Sequence, residues 1–189
     1  MIYRLLAVFL LVSFFTSCTT ISRSVADGPI EADLEGRTMG EVIDDKTMRT
    51  RLTVNLEKLD TRFEDAHLNV HVNAGIVLLV GQVPSGDMIQ KATQLLRSDK
   101  QVKAIHNHLT AEPNIKTGLR TNDNWLALKT KSRMFTTDHF PSSKVDIIVE
   151  KGVVYLMGRV TEGTAKQAVK IATEVNGVQK VVMVFQIIP

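Results

Sequence analysis

Two apolar stretches, each broken by glycine at the same places, recur in the same surroundings along this chain. The first reads NVHVNAGIVLLVGQV over 69–83 and the second DIIVEKGVVYLMGRV over 146–160. A shift of 77 sets Gly75 on Gly152, Gly81 on Gly158 and Val83 on Val160. Beyond a polar Pro/Ser/Gly turn the shift becomes 76, pairing Ala92 with Ala168 and Val102 with Val178. A one-residue slip confined to such a turn is the mark of a loop insertion between duplicated units. The period is too long for a solenoid and suits two tandem small domains.

Each unit predicts helix, strand, strand, helix, strand. In the first, Met48, Leu52 and Leu56 fall on one helical face, with Asp45 as N-cap and an end near Leu59. Strands at 68–73 and 76–80 join at Ala74-Gly75, where glycine supplies the positive φ of a tight hairpin. Ser85 opens a second helix with Ile89, Ala92 and Leu96 inward, and 102–110 is the last strand. In the second unit Asp123 caps a helix carrying Leu126, Thr130 and Met134, followed by strands at 145–150 and 153–157. Thr161 caps a helix bearing Ala165, Ala168 and Ala172, which stops at Asn176-Gly177, and 178–188 is the final strand. A helical crossover makes the second and third strands parallel. The predicted class is α+β: twice over, a three-stranded mixed sheet packed on two helices (αββαβ). Gly75, Gly81, Gly152 and Gly158 serve structure first, through backbone freedom and close packing.

The strand segments 153–157 and 181–185 are apolar on both alternating faces. A sheet covered by helices on one side needs only one such face. The second faces are therefore expected to pack on the sister unit or on another partner, and a connector at 113–120 is short enough for a compact pair.

The N-terminal segment is of another kind. Arg4 precedes an apolar or small run at 5–15, too short for a membrane span of roughly 20 residues and suited to a signal-peptide core. It ends in Phe15-Thr16-Ser17 before Cys18, the single cysteine of the chain. This resembles the lipobox of bacterial lipoproteins, with Phe15 where leucine is commoner. Residues 1–17 are then a signal peptide, Cys18 the lipidated first residue, and 18–43 a polar tether. A lone cysteine forms no intrachain disulfide. Charge divides unevenly: residues 44–112 carry nine basic and nine acidic side chains, whereas 113–189 carry eleven and six. The second unit is the one biased toward anionic partners.

The hairpin patterns Gly75-Ile76-Val77-Leu78-Leu79-Val80-Gly81 and Gly152-Val153-Val154-Tyr155-Leu156-Met157-Gly158 complete the picture. Each is preceded by an Asp-opened helix and followed by an alanine-rich one, and the whole resembles the BON domain (bacterial OsmY and nodulation). Thr121-Asn122-Asp123-Asn124-Trp125 and Val160-Thr161-Glu162 extend the likeness over nearly the whole mature chain. Two such domains behind a lipobox look like dual-BON lipoproteins (44–112 and 121–189). The resemblance implies a non-enzymatic protein, lipid-anchored in the inner leaflet of the outer membrane and facing the periplasm. It further implies binding of anionic phospholipid (phosphatidylglycerol, cardiolipin) through the first helix of the second domain, and support of membrane integrity at division sites. Thr130 and Phe135 depart from the family's usual Val and Leu and imply slightly different packing.

The residues of that helix agree. With Leu126, Thr130 and Met134 inward, Trp125, Leu128 and Lys129 fall outward or on the flank, and Lys131 and Arg133 follow within a turn. An indole at a water–lipid boundary, with cations reaching phosphates, is how an amphipathic surface sits on a membrane. The phospholipid-binding candidates are Trp125, Leu126, Leu128, Lys129, Lys131 and Arg133. The bland alternative makes Trp125 an interdomain aromatic and the cations a solvated face. His67, His71, His106 and His108 invite a metal, but no Cys, Asp or Glu stands beside them at ligand spacing. No nucleophile elbow, P-loop, dinucleotide fingerprint or other cofactor motif occurs. One Trp and two Tyr offer little for nucleic-acid stacking. A reading of a different class is an adaptor that docks an envelope assembly machine through the apolar sheet faces.

Overall fold

The computed structural model describes residues 33–113 and 117–189, leaving out the side chains of 117–119. The first domain runs α1 (Met39–Leu59), a short α2 (Arg62–Asp65), β1 (His67–Asn73), β2 (Ile76–Val83), α3 (Gly86–Ser98) and β3 (Ala104–Ala111). The second runs α4 (Thr117–Phe135), a 3-10 turn (Ser142–Lys144), β4 (Asp146–Glu150), β5 (Val153–Thr161), α5 (Glu162–Thr173) and β6 (Lys180–Ile188). In each sheet the second strand is central, antiparallel to the first and parallel to the third. The predicted three-stranded mixed sheets are present in both halves, with the second and third strands adjacent, and α2 is an extra turn that the hydrophobic pattern did not announce.

Register explains the hairpins. Asn73 pairs with Ile76 and Glu150 with Val153, which leaves two-residue turns. Both turn residues have positive φ in each case: Ala74 and Gly75 at 51° and 82°, Lys151 and Gly152 at 53° and 75°. That is the backbone of a type I′ turn, whose twist matches its flanking strands. Ala74 and Lys151 are uncomfortable there, and the adjacent helix offsets the strain. Asp45 accepts from the amides of Ala74 (2.8 Å) and Gly75 (3.0 Å). Asp123 accepts from those of Lys151 (2.7 Å) and Gly152 (2.9 Å).

These two aspartates are not helix caps, contrary to the sequence reading. Both lie inside their helices, buried, as latches between helix and hairpin. Helix α1 begins earlier, behind Thr38, whose hydroxyl accepts from Glu41 N while the Glu41 carboxylate receives Thr38 N. That reciprocal pair is a capping box. Ser85 and Thr161 do stand as N-caps, and Thr161 accepts from Thr164 N. The central-strand glycines permit a close approach: a Cβ at Gly81 would strike the His67 carbonyl, and one at Gly158 the carbonyl of Lys144.

Residues 34–189 form one compact unit with three apolar clusters. Leu52, Leu56, Val77, Leu79 and Leu96 fill the first helix–sheet layer, where Met88 rather than Ile89 is fully buried. Met134, Val154, Leu156, Ala168 and Ala172 fill the second. The third lies between the sheets, with Ile76, Leu78 and Val80 of β2 against Tyr155, Met157 and Val184 of β5 and β6. The doubly apolar strands are largely accounted for: on β5 odd and even positions serve different cores, and on β6 Val181 and Phe185 face one core and Val182 and Val184 the other, while Met183 stays 60% exposed. The molecule is a helix–sheet–sheet–helix sandwich. Polar pairs fix the alignment of the sheets. Gln82 Nε2 donates to Glu150 at 2.6 Å, and Asn73 Nδ2 to Asp146 at 2.7 Å.

The segment before α1 is a strap across the second domain, not free tether up to residue 43. Glu35 accepts from Thr161 N, Thr161 Oγ1 and Thr164 Oγ1, each at 2.8 Å, and Gly36 N donates to Arg159 O at 2.7 Å. Arg37 bridges Asp45 (3.0 Å) in the first domain and Asp146 (2.9 Å) in the second. Glu41 pairs with Arg159 at 2.7 Å. The Thr38 amide first, and Arg159 next, lower the Glu41 carboxyl to about 2. Helix α4 likewise starts at Thr117, inside the expected linker 113–120.

Candidate functional site

Helix α4 is held down by one row of side chains and displays another. Leu126 (3% exposed), Thr130 and Met134 are buried, and Thr130 satisfies its hydroxyl on the Leu126 carbonyl at 2.8 Å. Asp123 anchors the same row to the hairpin. Trp125 and Leu128 are 59% and 58% exposed on the opposite side, and Phe135, at 77%, extends the stripe to the helix end. Contrary to its expected place among the surface candidates, Leu126 is kept from any external ligand by its burial. It positions Trp125 instead. Phe135, expected from the sequence only to alter the packing, belongs to the exposed face; its i, i+7 spacing from Leu128 is the signal for it.

The cations divide between two sides of the helix. Lys129 donates to the Asn176 carbonyl (2.8 Å) and Arg133 lies 3.7 Å from Glu174, both across a shallow groove of about 560 Å³. Trp125, Leu128 and Val175 give that groove its apolar wall. Lys131 turns the other way, into a cleft between α4 and α1 that it shares with Lys46 and Arg49. Burial first, and then Arg49, lower the pKa of His71 there, while Asp146 pulls it back. Leu128 borders both hollows.

The other histidines go elsewhere. His67 sits 3.4 Å from Glu150, and the His108 ring stands 5.0 Å from that of Tyr155 at 59°. Among the described residues no three His, Cys, Asp or Glu side chains gather as a metal site, and no helix is long and apolar enough to cross a membrane. Cys18 lies outside the described residues.

A tandem of αββαβ units, latched helix to hairpin and packed sheet to sheet, defines a class. The BON domain matches residues 44–113 and again 122–189, and the chain belongs to the BON-domain family. Its relatives include a Haemophilus influenzae protein named outer membrane lipoprotein DolP, 33% identical over 175 residues, 92% of this chain and 90% of that protein. A protein of Actinobacillus pleuropneumoniae named 21 kDa hemolysin is 30% identical over 151 residues, 80% of this chain and 78% of the other. The C-terminal domain of CdsD, a type III secretion protein of Chlamydia trachomatis, aligns with 77% of this chain and 67% of its own. Its identity is 12% and the TM-score 0.30. The likeness read from the sequence is therefore one of descent: this is a dual BON-domain protein of the DolP kind.

Proposed function

We propose that this is a non-enzymatic, Cys18-anchored lipoprotein on the periplasmic side of the outer membrane. In this reading it binds anionic phospholipid, phosphatidylglycerol or cardiolipin, through α4 and supports membrane integrity, with the division site as the setting that its family resemblance suggests. The observation that carries the reading is the exposure of Trp125 and Leu128 on a helix whose opposite face is locked into the core. Lys129 and Arg133 flank that surface within reach of phosphates. The adaptor alternative has less support, since most of the apolar sheet surface is packed on the sister sheet and Met183 and Ile187 of β6 are what it leaves exposed.

The test is vesicle sedimentation with residues 19–189, which include the whole compact unit. Binding requires phosphatidylglycerol and falls with salt, because screening shortens the reach of the cations. Trp125→Glu lowers it by at least about tenfold with an unchanged melting curve, as a repelled charge replaces an interfacial anchor. Normal binding by that variant refutes the assignment, and unfolding would make Trp125 a core residue. For the anchor, Cys18→Ala moves the protein out of the membrane fraction or leaves it unprocessed; a mature N-terminus free of acyl chains in mass spectrometry ends that part of the reading.

A further inference from the structure

The cleft between α1 and α4 is a different place from the Trp125 groove. It holds about 650 Å³, within the usual size of small-molecule sites, and both domains build it. Lys46 and Arg49 line it from α1, Lys131 from α4 and His71 from β1, while Val42, Leu128 and Ile147 supply apolar wall. Its two carboxylates are already engaged. Asp45 takes the turn amides and Arg37, and Asp146 takes Arg37 and Asn73. Among the described residues, no carboxylate pairs with Lys46, Arg49 or Lys131, and all three are exposed. Three uncommitted cations from two domains therefore face one hollow whose remaining surface is largely aliphatic. Such a lining suits an anion that carries an apolar body.

We propose that this cleft binds the phosphodiester of a single anionic phospholipid, with Lys46 and Arg49 on one side, Lys131 on the other, and the glycerol end against Val42, Leu128 and Ile147. The first domain thereby becomes part of lipid recognition. The proposal rests on the lipid-binding reading for the source of its phosphate, not for its geometry. His71 adds to the same logic, since an anion between it and Arg49 removes the repulsion that helps keep the ring neutral. The charged groups around His71 are Arg37, Asp45, Lys46 and Arg49 from the strap and α1, Lys131 from α4, and Asp146 from β4.

The experiment titrates residues 19–189 with dihexanoyl-phosphatidylglycerol below its micelle concentration, following backbone amide shifts. Inorganic phosphate and dihexanoyl-phosphatidylcholine are the comparison arms, and phosphatidylglycerol vesicles are tested in parallel. Saturable one-to-one shifts at Arg49, His71 and Lys131 are expected, with both comparison ligands weaker. Lys46→Glu with Arg49→Glu weakens the short lipid by about tenfold or more, as does Lys131→Glu from the opposite wall. All three side chains are exposed and make no ion pair among the described residues, so the fold is expected to survive. Trp125→Glu leaves the short-lipid affinity in place while vesicle binding falls. Shifts confined to the Trp125 groove, an affinity indifferent to the charge reversals, or inorganic phosphate binding as tightly as the lipid overturns the proposal. Loss of vesicle binding alone in the unmodified protein would instead refute the membrane reading and leave the cleft standing.

Discussion

Helices α1 and α4 are the same part used twice: the inner side stays buried in both although its residues differ, and the outer side changes character. Setting the latch Asp45 on Asp123 places Met48, Leu52 and Leu56 on Leu126, Thr130 and Met134, all buried. The same alignment sets Thr47 and Thr50 opposite Trp125 and Leu128. In α1, Thr47, Thr50 and Thr53 each turn a hydroxyl onto the carbonyl four residues back, at 2.9, 3.1 and 3.0 Å. They leave a small, self-satisfied surface. In α4 the corresponding face carries an indole and a leucyl side chain in water. The fold dictates the buried row and the latch; the outer row is free to differ between copies, and that is where the two domains part company.

The sharpest challenge to this comparison is to cut each latch. Asp123→Ala should cost about 3 kcal/mol in chemical denaturation, since a carboxylate accepting two turn amides is lost from a buried position. Asp45→Ala should cost about 1 kcal/mol more, because Arg37 also loses a partner. Values below about 1 kcal/mol for both would mean that the turns hold themselves. A milder challenge moves the outer row. In the Trp125→Glu background, Thr47→Trp with Thr50→Leu should recover about tenfold in phosphatidylglycerol vesicle binding, the order expected of an interfacial anchor. No recovery would place the distinction in the surroundings of α4 rather than in its side chains.

Two pH effects are smaller. The Glu41 carboxyl is depressed in the folded state, so its contribution is present above pH 4.5 and is lost as pH falls toward about 2. Glu41→Gln should flatten that acid limb of the melting temperature and leave neutral stability lower. His71 and His108 are depressed chiefly by burial. The unfolded chain then takes up protons first, and stability declines as pH drops below 6.5. His71→Ile, which copies Ile148 of the second domain, should reduce that decline, and an unchanged slope would assign it to His108.

Much of this architecture was legible because periodicity carries it. Duplicated glycine-flanked strands gave the hairpins, and two-faced apolar strands announced a second packing surface, which the structure places against the sister sheet. The helix starts were misread because an aspartate before an apolar row looks like a cap. The first turns of α1 carry Met39 and Ile43 outward, so no inward apolar row marks them. Thr38 and Glu41 did spell a capping box there. The strap could not be read at all, since Glu35, Arg37 and Glu41 meet residues over a hundred positions away. The basic cleft was hidden by arithmetic: a domain of zero net charge conceals Lys46 and Arg49 when its acids are tied up elsewhere, Asp60 and Asp87 among them. On the candidate helix, the outward direction of Trp125 and Leu128 followed from spacing, but the division of its cations between two hollows required the neighbouring helices.

The shared sheet interface also imposes a schedule on synthesis. The first domain leaves the ribosome with Ile76, Leu78 and Val80 uncovered, and their cover, Tyr155, Met157 and Val184, is made later. At about 5–20 residues per second that interval is on the order of several seconds. For a chain exported unfolded the same order holds on the far side of the membrane, where a first domain that forms early offers a flat, greasy β-surface to its neighbours until its cover arrives. Holding factors that shield it until residue 184 has emerged would serve this protein more than any that act on the finished molecule.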